Sequence, residues 1–277
     1  MATITASDVN KLRKQTGAGM MDCKKALQEA EGDFEKAIEI LRKKGQKVAA
    51  KRGDREASEG LIIAKTTPDN KAGVIVSVNC ETDFVAKNQE FQEFANKIAD
   101  IALENLPSSI EDLKALPYEG GISIGEKIVE LIGKIGEKID LADYKTISAE
   151  AVVAYNHPGN QIASLVGLSK AVEGIEEIGK DVAMQVAAMN PVAVDKGDVS
   201  EEMIQKEIEI GKEQAINEGK PAELAEKIAM GKLNKFFKEN TLLNQEFIKD
   251  NKITIAQYLK DKDKDLTVTE FVRLALK

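Results

Sequence analysis

Residues 60–80 have the sequence GLIIAKTTPDNKAGVIVSVNC, and this stretch decides the fold class. Two runs rich in β-branched residues flank the turn-like PDNK at 68–71, which predicts an antiparallel hairpin. From Asn88 onward, apolar residues recur at steps of three and four, which predicts a helix with a broad apolar face for packing on that sheet. The apolar positions of this helix are Phe91, Phe94, Ala95, Ile98, Ile101 and Ala102.

A second hairpin-and-helix unit follows from about residue 150. The segment AVVAYN at 151–156, the tight turn HPGN at 157–160 and the segment QIASLVGLSK at 161–170 predict the hairpin. We expect its helix to run from about Ile175 to Met189. The two units share an order of elements rather than matched residues, so the indication of a duplication rests on that order alone.

The N-terminal part of the sequence predicts three helices. Thr5 and Asp8 resemble a capping box that opens a helix to about Gln15. A second helix is predicted over 22–30, and Asp33 is the predicted N-cap of a third. The basic stretch that follows, from Lys43 to Arg55, predicts a helical extension that frays into a linker, with a domain boundary near 53–58.

The last third of the sequence predicts a pair of long helices and a return to the sheet. Ser200 is the predicted N-cap of a strongly charged helix, and Pro221 lies in the first turn of a return helix after a short connector. Two such helices form a helical hairpin. A short helix from Thr254 and a strand over 267–276 then complete the body.

These patterns predict an α+β protein. We expect a three-helix N-terminal module at 1–54 and a first core subdomain of antiparallel strands with helices at 55–148. A second, related subdomain is expected at 149–191 and 242–277, with the helical hairpin at 192–241.

Composition narrows the class of protein. The 277 residues carry 39 Lys and Arg against 47 Asp and Glu, and this net charge of −8 disfavours binding as a nucleic-acid coat or to an anionic membrane. Two distant cysteines, Cys23 and Cys80, and a single histidine cannot build a disulfide framework or a structural zinc site. With neither a signal sequence nor a long apolar run, we expect a cytoplasmic protein.

Nothing in the sequence predicts catalysis, and we expect no cofactor and no metal site. The lone histidine, His157, lies in a turn with no serine or cysteine signature of an activated nucleophile. The TGAG at 16–19 lacks the GK[ST] ending of a phosphate loop. Glu201 and Glu202 stand at a helix start, where acids are favoured by the helix dipole.

Two features resist a purely structural interpretation. Met20 and Met21 are adjacent at a helix start, so both cannot face the same small core and at least one is expected on the surface. Thr82 or Asp83 can cap the helix that follows the first hairpin, which places Phe84 in its first turn, ahead of the regular apolar series. Phe84 is either a hydrophobic staple or an anchor presented to a partner.

At these positions the sequence resembles the elongation factor Ts family, the guanine-nucleotide exchange factors of elongation factor Tu in translation. The resemblance rests on VNKLRKQTGAGMMDCKKAL at 9–27, ETDFVAKN at 81–88 and GKPAELAEKIAMGKLNKFFKE at 219–239. It implies an N-terminal helical module similar to ubiquitin-associated domains, two related core subdomains and a protruding helical hairpin. It also implies that the protein is not an enzyme.

The resemblance implies three groups of contacts with elongation factor Tu. Asp83 and Phe84 are the pair that enters the GTPase beside its magnesium site, and Thr82 and Val85 flank them. The N-terminal group comprises Leu12, Met20, Met21 and Lys24. Less specific matches are Ile135, Gly136, His157, Ile248 and Lys249.

No direct contact with nucleotide, nucleic acid or membrane is implied, and a homodimer through the 192–241 hairpin is left open. Members of the family often continue into a C-terminal helical module, which this sequence does not show before Lys277.

Two other classes of function remain open at this point. In the first, the N-terminal module makes the chain a docking scaffold; deletion of 1–53 would then abolish binding, whereas an exchange factor should keep weakened activity through its core. In the second, the basic stretch from Lys43 to Arg55 binds RNA. That stretch has no interleaved aromatic residues for base stacking, which favours a solvated segment.

Overall fold

The computed structural model describes residues 4–277, apart from the side chain of Ala222, so residues 1–3 of the predicted module 1–54 lie outside the described residues. The described chain is a mixed α+β fold. Its helices are α1 (Ala6–Thr16), α2 (Met20–Glu29), α3 (Phe34–Arg52), α4 (Asp83–Ala86), α5 (Gln89–Asn105), α6 (Ile110–Ala115), α7 (Ile124–Ile135), α8 (Ile175–Met189), α9 (Glu201–Asn217), α10 (Ala222–Asn240) and α11 (Ile255–Lys262).

The strands form two three-stranded sheets and one two-stranded ribbon, with the orders β1-β2-β3, β4-β5-β8 and β6-β7. The strands are β1 (Glu59–Thr66), β2 (Ala72–Cys80), β3 (Ile139–Ser148), β4 (Ala151–Asn156), β5 (Ile162–Leu168), β6 (Glu246–Phe247), β7 (Asp250–Thr254) and β8 (Val268–Ala275). Within the described residues, no helix is both long and apolar enough to cross a membrane.

The chain divides into two compact units. The first comprises the described part of Met1–Ile63 with Val76–Lys145 and Leu276–Lys277. The second comprises Ala64–Ile75 and Thr146–Ala275. The predicted division into four domains stays a prediction.

The first three helices share a small core of their own. The Thr5 side chain accepts a hydrogen bond from the Asp8 amide, and the Asp8 carboxylate accepts one from the Thr5 amide, so the predicted capping box is present. Helix α2 begins at Met20, two residues before the predicted start, and Asp33 caps α3 as predicted. The core residues of this module are Val9, Leu12, Cys23, Ala26, Leu27, Ala30 and Ala37.

Helix α3 is continuous to Arg52, so the predicted helical extension is present through most of the basic stretch and ends just before residues 53–58. The reason is a close helix crossing that no charge pattern reveals. Gly45 is buried on the face of α3 that packs against α7. A Cβ atom at Gly133 of α7 would lie 2.8 Å from the Gly45 Cα, so glycine at both positions allows the two backbones to touch. Packing, rather than helix propensity, stabilises the end of α3.

The second unit contains the sheet β4-β5-β8 with helices α8 and α11. Strand β5 pairs antiparallel with both β4 and β8. Helix α8 packs on all three strands of this sheet and has the bounds predicted for it. Its apolar face belongs to a core that includes Val166, Val182, Val186 and Leu259.

Helices α9 and α10 pack along each other in opposite directions. A Cβ atom at Gly211 would lie 3.0 Å from the Ala229 Cα, and Lys212 bonds Glu226 at 3.2 Å. Pro221 is the N-cap residue of α10 rather than a residue of its first turn.

The ribbon β6-β7 has no counterpart among the sequence predictions. Strand β6 is two residues long and β7 is largely polar, so neither carries the alternation that identifies a strand. The turn between them carries Ile248 and Lys249.

Candidate partner-binding site

Phe84 lies on a short helix between two helix caps. Strand β2 ends at Cys80, and the Thr82 hydroxyl accepts a hydrogen bond from the Val85 amide at 3.4 Å, which caps the four-residue helix α4. Asn88 then caps α5 by accepting from the Glu90 amide at 2.9 Å. Because the helix is interrupted between α4 and α5, Phe84 does not lie on the apolar face that α5 continues.

The Phe84 side chain is 82% exposed, whereas Val85 and Ala86 beside it are buried. The staple interpretation of Phe84 is therefore wrong, and the ring is presented on the surface. Burial of such a ring in a partner would contribute about 2 kcal/mol. Of the four residues predicted for this segment, Phe84 is exposed and Asp83 is about half exposed, while Thr82 and Val85 hold the turn.

Asp83 places a negative charge beside this ring. Its carboxylate accepts a hydrogen bond from the Lys87 ammonium at 2.7 Å, one turn along the helix. This hydrogen bond, with the positive charge of Lys87, lowers the pKa of Asp83, so the group is ionised at neutral pH. Asp83 can therefore act as an anionic group toward a cation on another molecule.

Thr82 is fixed by all of its polar atoms. Its amide donates to Glu137 Oε2 at 3.2 Å, and its hydroxyl donates to Glu137 Oε1 at 2.9 Å. Its carbonyl oxygen accepts from the Cys80 thiol at 3.2 Å. Burial raises the pKa of Cys80 to about 12, so this side chain stays a neutral thiol donor.

Glu81 forms a second set of bonds directly before the turn. Arg52 Nη1 donates to the carboxylate and lies 3.0 Å from each oxygen, and the Lys138 amide donates to Glu81 Oε1 at 2.6 Å. The Lys138 ammonium donates in turn to the carbonyl oxygens of Gly53 and Arg55, each at 2.8 Å. The end of α3 is thus bonded to Glu81, directly before the turn that carries Phe84, and to Lys138, in the segment after α7.

The Lys138 amide, followed by Arg52, lowers the pKa of Glu81 below its ordinary value of 4.5. A carboxyl group whose folded-state pKa is depressed stabilises the fold above its unfolded-state pKa, and this contribution is lost as the pH falls through the folded-state pKa. Glu81→Gln should therefore cost about 1 kcal/mol at pH 7, after allowance for partial solvent screening.

Urea unfolding of Glu81→Gln and of the unaltered chain, measured between pH 7 and pH 3, checks this prediction. The difference between their free energies of unfolding should shrink below pH 4.5. A difference that stays constant or grows as the pH falls would contradict it.

The N-terminal group is divided between surface and core. Met20 and Met21 are 52% and 62% exposed, and Lys24 is exposed as well. Both methionines thus lie on the surface, whereas the sequence predicted only that at least one of them would. Leu12, in contrast, has no exposed surface, so a contact through its side chain would require the helices of the module to separate. Leu12 supports the module from its core.

Ile135 and Gly136 form the end of α7. Gly136 adopts a left-handed conformation with φ 81°, and its amide donates to the Ile132 carbonyl at 2.8 Å. The chain then reverses into Glu137, the residue that bonds Thr82. These two predicted residues therefore lie directly before a residue that holds the Phe84 turn.

The remaining predicted residues lie in the second unit. His157 is exposed in the turn between β4 and β5, with its Nδ1 atom 3.0 Å from the Tyr155 hydroxyl. Ile248 is 45% exposed, and its amide donates to the buried Gln185 side chain at 2.9 Å. The Lys249 ammonium bonds Asp181 at 2.6 Å.

Sequence reasoning missed Glu81, Glu137 and Arg52 as parts of this site. The Arg52–Glu81 pair joins positions 29 residues apart, and the Glu137–Thr82 pair joins positions 55 residues apart. No spacing pattern indicates either pair. Within residues 4–277, no group of three His, Cys, Asp or Glu side chains is arranged to hold a metal ion.

Comparison with known proteins agrees with this architecture. The family model "Elongation factor TS" matches residues 81–277. Proteins named elongation factor Ts from Christiangramia forsetii and Cytophaga hutchinsonii are 58% and 51% identical, each over 100% of both chains. The protein of the same name from Amoebophilus asiaticus is 55% identical over 98% of both chains.

These matches define the class of protein: the chain is a translation elongation factor that acts in protein biosynthesis. It belongs to the elongation factor Ts family, which confirms the resemblance drawn from the sequence.

Proposed function

We propose that this chain is a guanine-nucleotide exchange factor that binds elongation factor Tu with GDP bound and promotes GDP release. The observation that carries the proposal is the Phe84 ring, 82% exposed, beside the ionised Asp83. Both lie on a turn that the hydrogen bonds of Thr82 hold in place. An apolar ring and a carboxylate that lie side by side can together open a site that holds magnesium and phosphate groups.

The mechanism uses binding energy and makes no covalent bond. A protein that binds the empty GTPase more tightly than the nucleotide-loaded GTPase must weaken nucleotide binding by the same factor. A coupling factor of 100 requires about 2.7 kcal/mol, which is comparable to burial of one phenylalanine ring together with a displaced metal ligand.

Each of the two side chains has its own role in this mechanism. The Phe84 ring pushes apart the elements that flank the nucleotide phosphates. Mg²⁺ demands near-ideal octahedral geometry, so small displacements of its ligands weaken its binding. The Asp83 carboxylate disturbs that ligand shell. Neither role needs a proton transfer or a nucleophile, and we therefore propose that the protein is not an enzyme and holds no cofactor.

The other predicted contacts extend this interface. Exposure of Met20, Met21 and Lys24 supports a second contact through the N-terminal module, which we propose to be similar to ubiquitin-associated domains. Exposure of His157 and Ile248 supports contacts from the second unit.

We propose further that helices α9 and α10 form a protruding hairpin, which could also join two copies of the chain, and that the protein acts in the cytoplasm. It contacts neither nucleic acid nor membrane in this proposal.

Release of a fluorescent GDP analogue from purified elongation factor Tu tests the function. With excess unlabelled GDP present, addition of the chain should accelerate release by up to about 100-fold, since a loss of affinity of about 100-fold appears mostly in the dissociation rate. The acceleration should saturate at high concentration. A magnesium chelator added without the chain provides the control that the fluorophore reports release. Binding without acceleration at any concentration would refute exchange and support the docking scaffold.

A further inference from the structure

Two carboxylates that the proposed exchange mechanism does not use hold the start of the turn that carries Phe84. Helix α4 has four residues, and so short a helix has no stability of its own in water. Its geometry must come from its neighbours. Glu137 accepts from both the amide and the hydroxyl of Thr82. Glu81, the residue before Thr82, accepts from Arg52 and from the Lys138 amide.

We propose that Glu137 and Glu81 are positioning residues, which hold α4 in the geometry that presents Phe84 and Asp83 to the GTPase, and that Arg52 is the counter-ion of Glu81. The inference rests on the proposed exchange function. It assigns to the end of α3 a role in exchange that is separate from any direct contact with the partner.

The Glu137 bonds are suited to fix an orientation. One carboxylate binds the amide and the hydroxyl of the same residue, so Thr82 can neither rotate about its side chain nor turn its backbone without losing a bond. The same hydroxyl oxygen accepts from the Val85 amide. The hydroxyl thus relays the position of Glu137 to the first turn of α4, where Phe84 lies.

The Glu81 bonds fix the segment before Thr82. The Glu81 side chain is only 13% exposed, and both of its oxygens are used by Arg52. Charge-assisted hydrogen bonds are stronger than neutral ones, so the contact with Arg52 Nη1 restricts the position of Glu81. Because Lys138 also donates to Gly53 and Arg55, the end of α3, the Glu81 segment and the segment after Gly136 form one bonded group.

Positioning matters here because the exposed ring must be ordered before it can act as a wedge. A ring that is ordered only upon binding costs affinity through lost conformational freedom. Small misplacements of a group that acts through geometry reduce rates strongly. The two carboxylates reduce both the loss of affinity and the loss of rate, because they fix the backbone that carries the ring before the partner binds.

The test combines Glu137→Gln, which keeps the side-chain shape, with Phe84→Leu, which keeps a smaller apolar group. Glu81→Ala should lower stimulated GDP release about tenfold, and Glu137→Gln and Glu81→Gln should each lower it several-fold, because their amide oxygens still accept part of the bonding. When Phe84 is already replaced by Leu, Glu137→Gln should reduce stimulated GDP release much less than it does in the unaltered chain, because Glu137 acts through the Phe84 ring.

Two further measurements separate positioning from loss of stability. Glu130→Gln breaks a partly buried ion pair with Lys127 on α7 and is the matched control, expected to leave exchange unchanged. Fluorine NMR of 4-fluorophenylalanine at position 84 should show a more mobile ring in Glu137→Gln than in Glu130→Gln. The thermal unfolding midpoints of the two variants should be equal.

The inference is overturned if Glu137→Gln folds and leaves both exchange and ring mobility unchanged, or if its effect adds fully to that of Phe84→Leu. Failure of the unaltered chain to accelerate release would instead refute the proposed function. A Glu81→Ala chain that does not fold leaves the decision to Glu137→Gln.

Discussion

Replacement of Phe84 by alanine should lower the stimulated rate of GDP release by about 10- to 100-fold, because it removes about 2 kcal/mol of apolar burial that is gained only in the complex. The ring is 82% exposed in the free protein, so its removal should change the free energy of unfolding by less than about 0.5 kcal/mol. Stopped-flow fluorescence with the cognate GTPase measures the first quantity, and urea unfolding measures the second.

Val192→Ala is the matched control for this variant. Val192 is also an exposed apolar residue, at 46%, but it lies in none of the contacts proposed with elongation factor Tu. Its truncation should change neither the rate of release nor the stability. Release from the Phe84→Ala complex at the unaltered rate would show that the ring is not the wedge.

The second large effect concerns Phe91, seven positions further along the chain. Phe91 has no exposed surface and is among the largest fully buried side chains. Phe91→Ala should therefore destabilise the protein by about 3–5 kcal/mol, through lost burial and the cavity left behind. The midpoint of urea unfolding should fall without a change in slope.

Phe84→Ala and Phe91→Ala are the same chemical change and should have opposite consequences. Per folded molecule, Phe91→Ala should retain stimulated GDP release at low temperature, where the variant stays folded. A loss of less than about 1 kcal/mol would mean that the core closes around the missing ring, against the expectation for a fully buried aromatic side chain.

Local sequence signals predicted the elements that depend on neighbouring residues. The capping box of Thr5 and Asp8, the N-cap at Asp33 and the bounds of α8 are all present in the structure. Each depends on interactions within one or two turns, which amino-acid order specifies directly.

Local sequence signals say least where distant segments meet. Helix α3 continues to Arg52 because Gly45 lies against Gly133 of α7, a contact between residues far apart in the chain. The ribbon β6-β7 forms although its strands are too short to show a periodicity. In both cases, packing supplies a stability that local propensity lacks.

The candidate site shows the same division. Sequence alone placed Phe84 in a first helical turn outside the regular apolar series and raised the choice between a staple and an anchor. Only the folded chain decides that choice, because exposure depends on which other segments cover the ring. The pairs Arg52–Glu81 and Thr82–Glu137 exist only after folding has closed loops of tens of residues.

The amino-acid order by itself determined the family, the sequence of hairpins and helices, and the helix caps, because these depend on residue identity and short-range geometry. The tertiary structure alone decided that both Met20 and Met21 are on the surface, that Leu12 is in the core, and that two glutamates hold the Phe84 turn. Solvent exposure and long-range hydrogen bonds are properties of the assembled fold, since each requires residues that the chain keeps far apart in sequence.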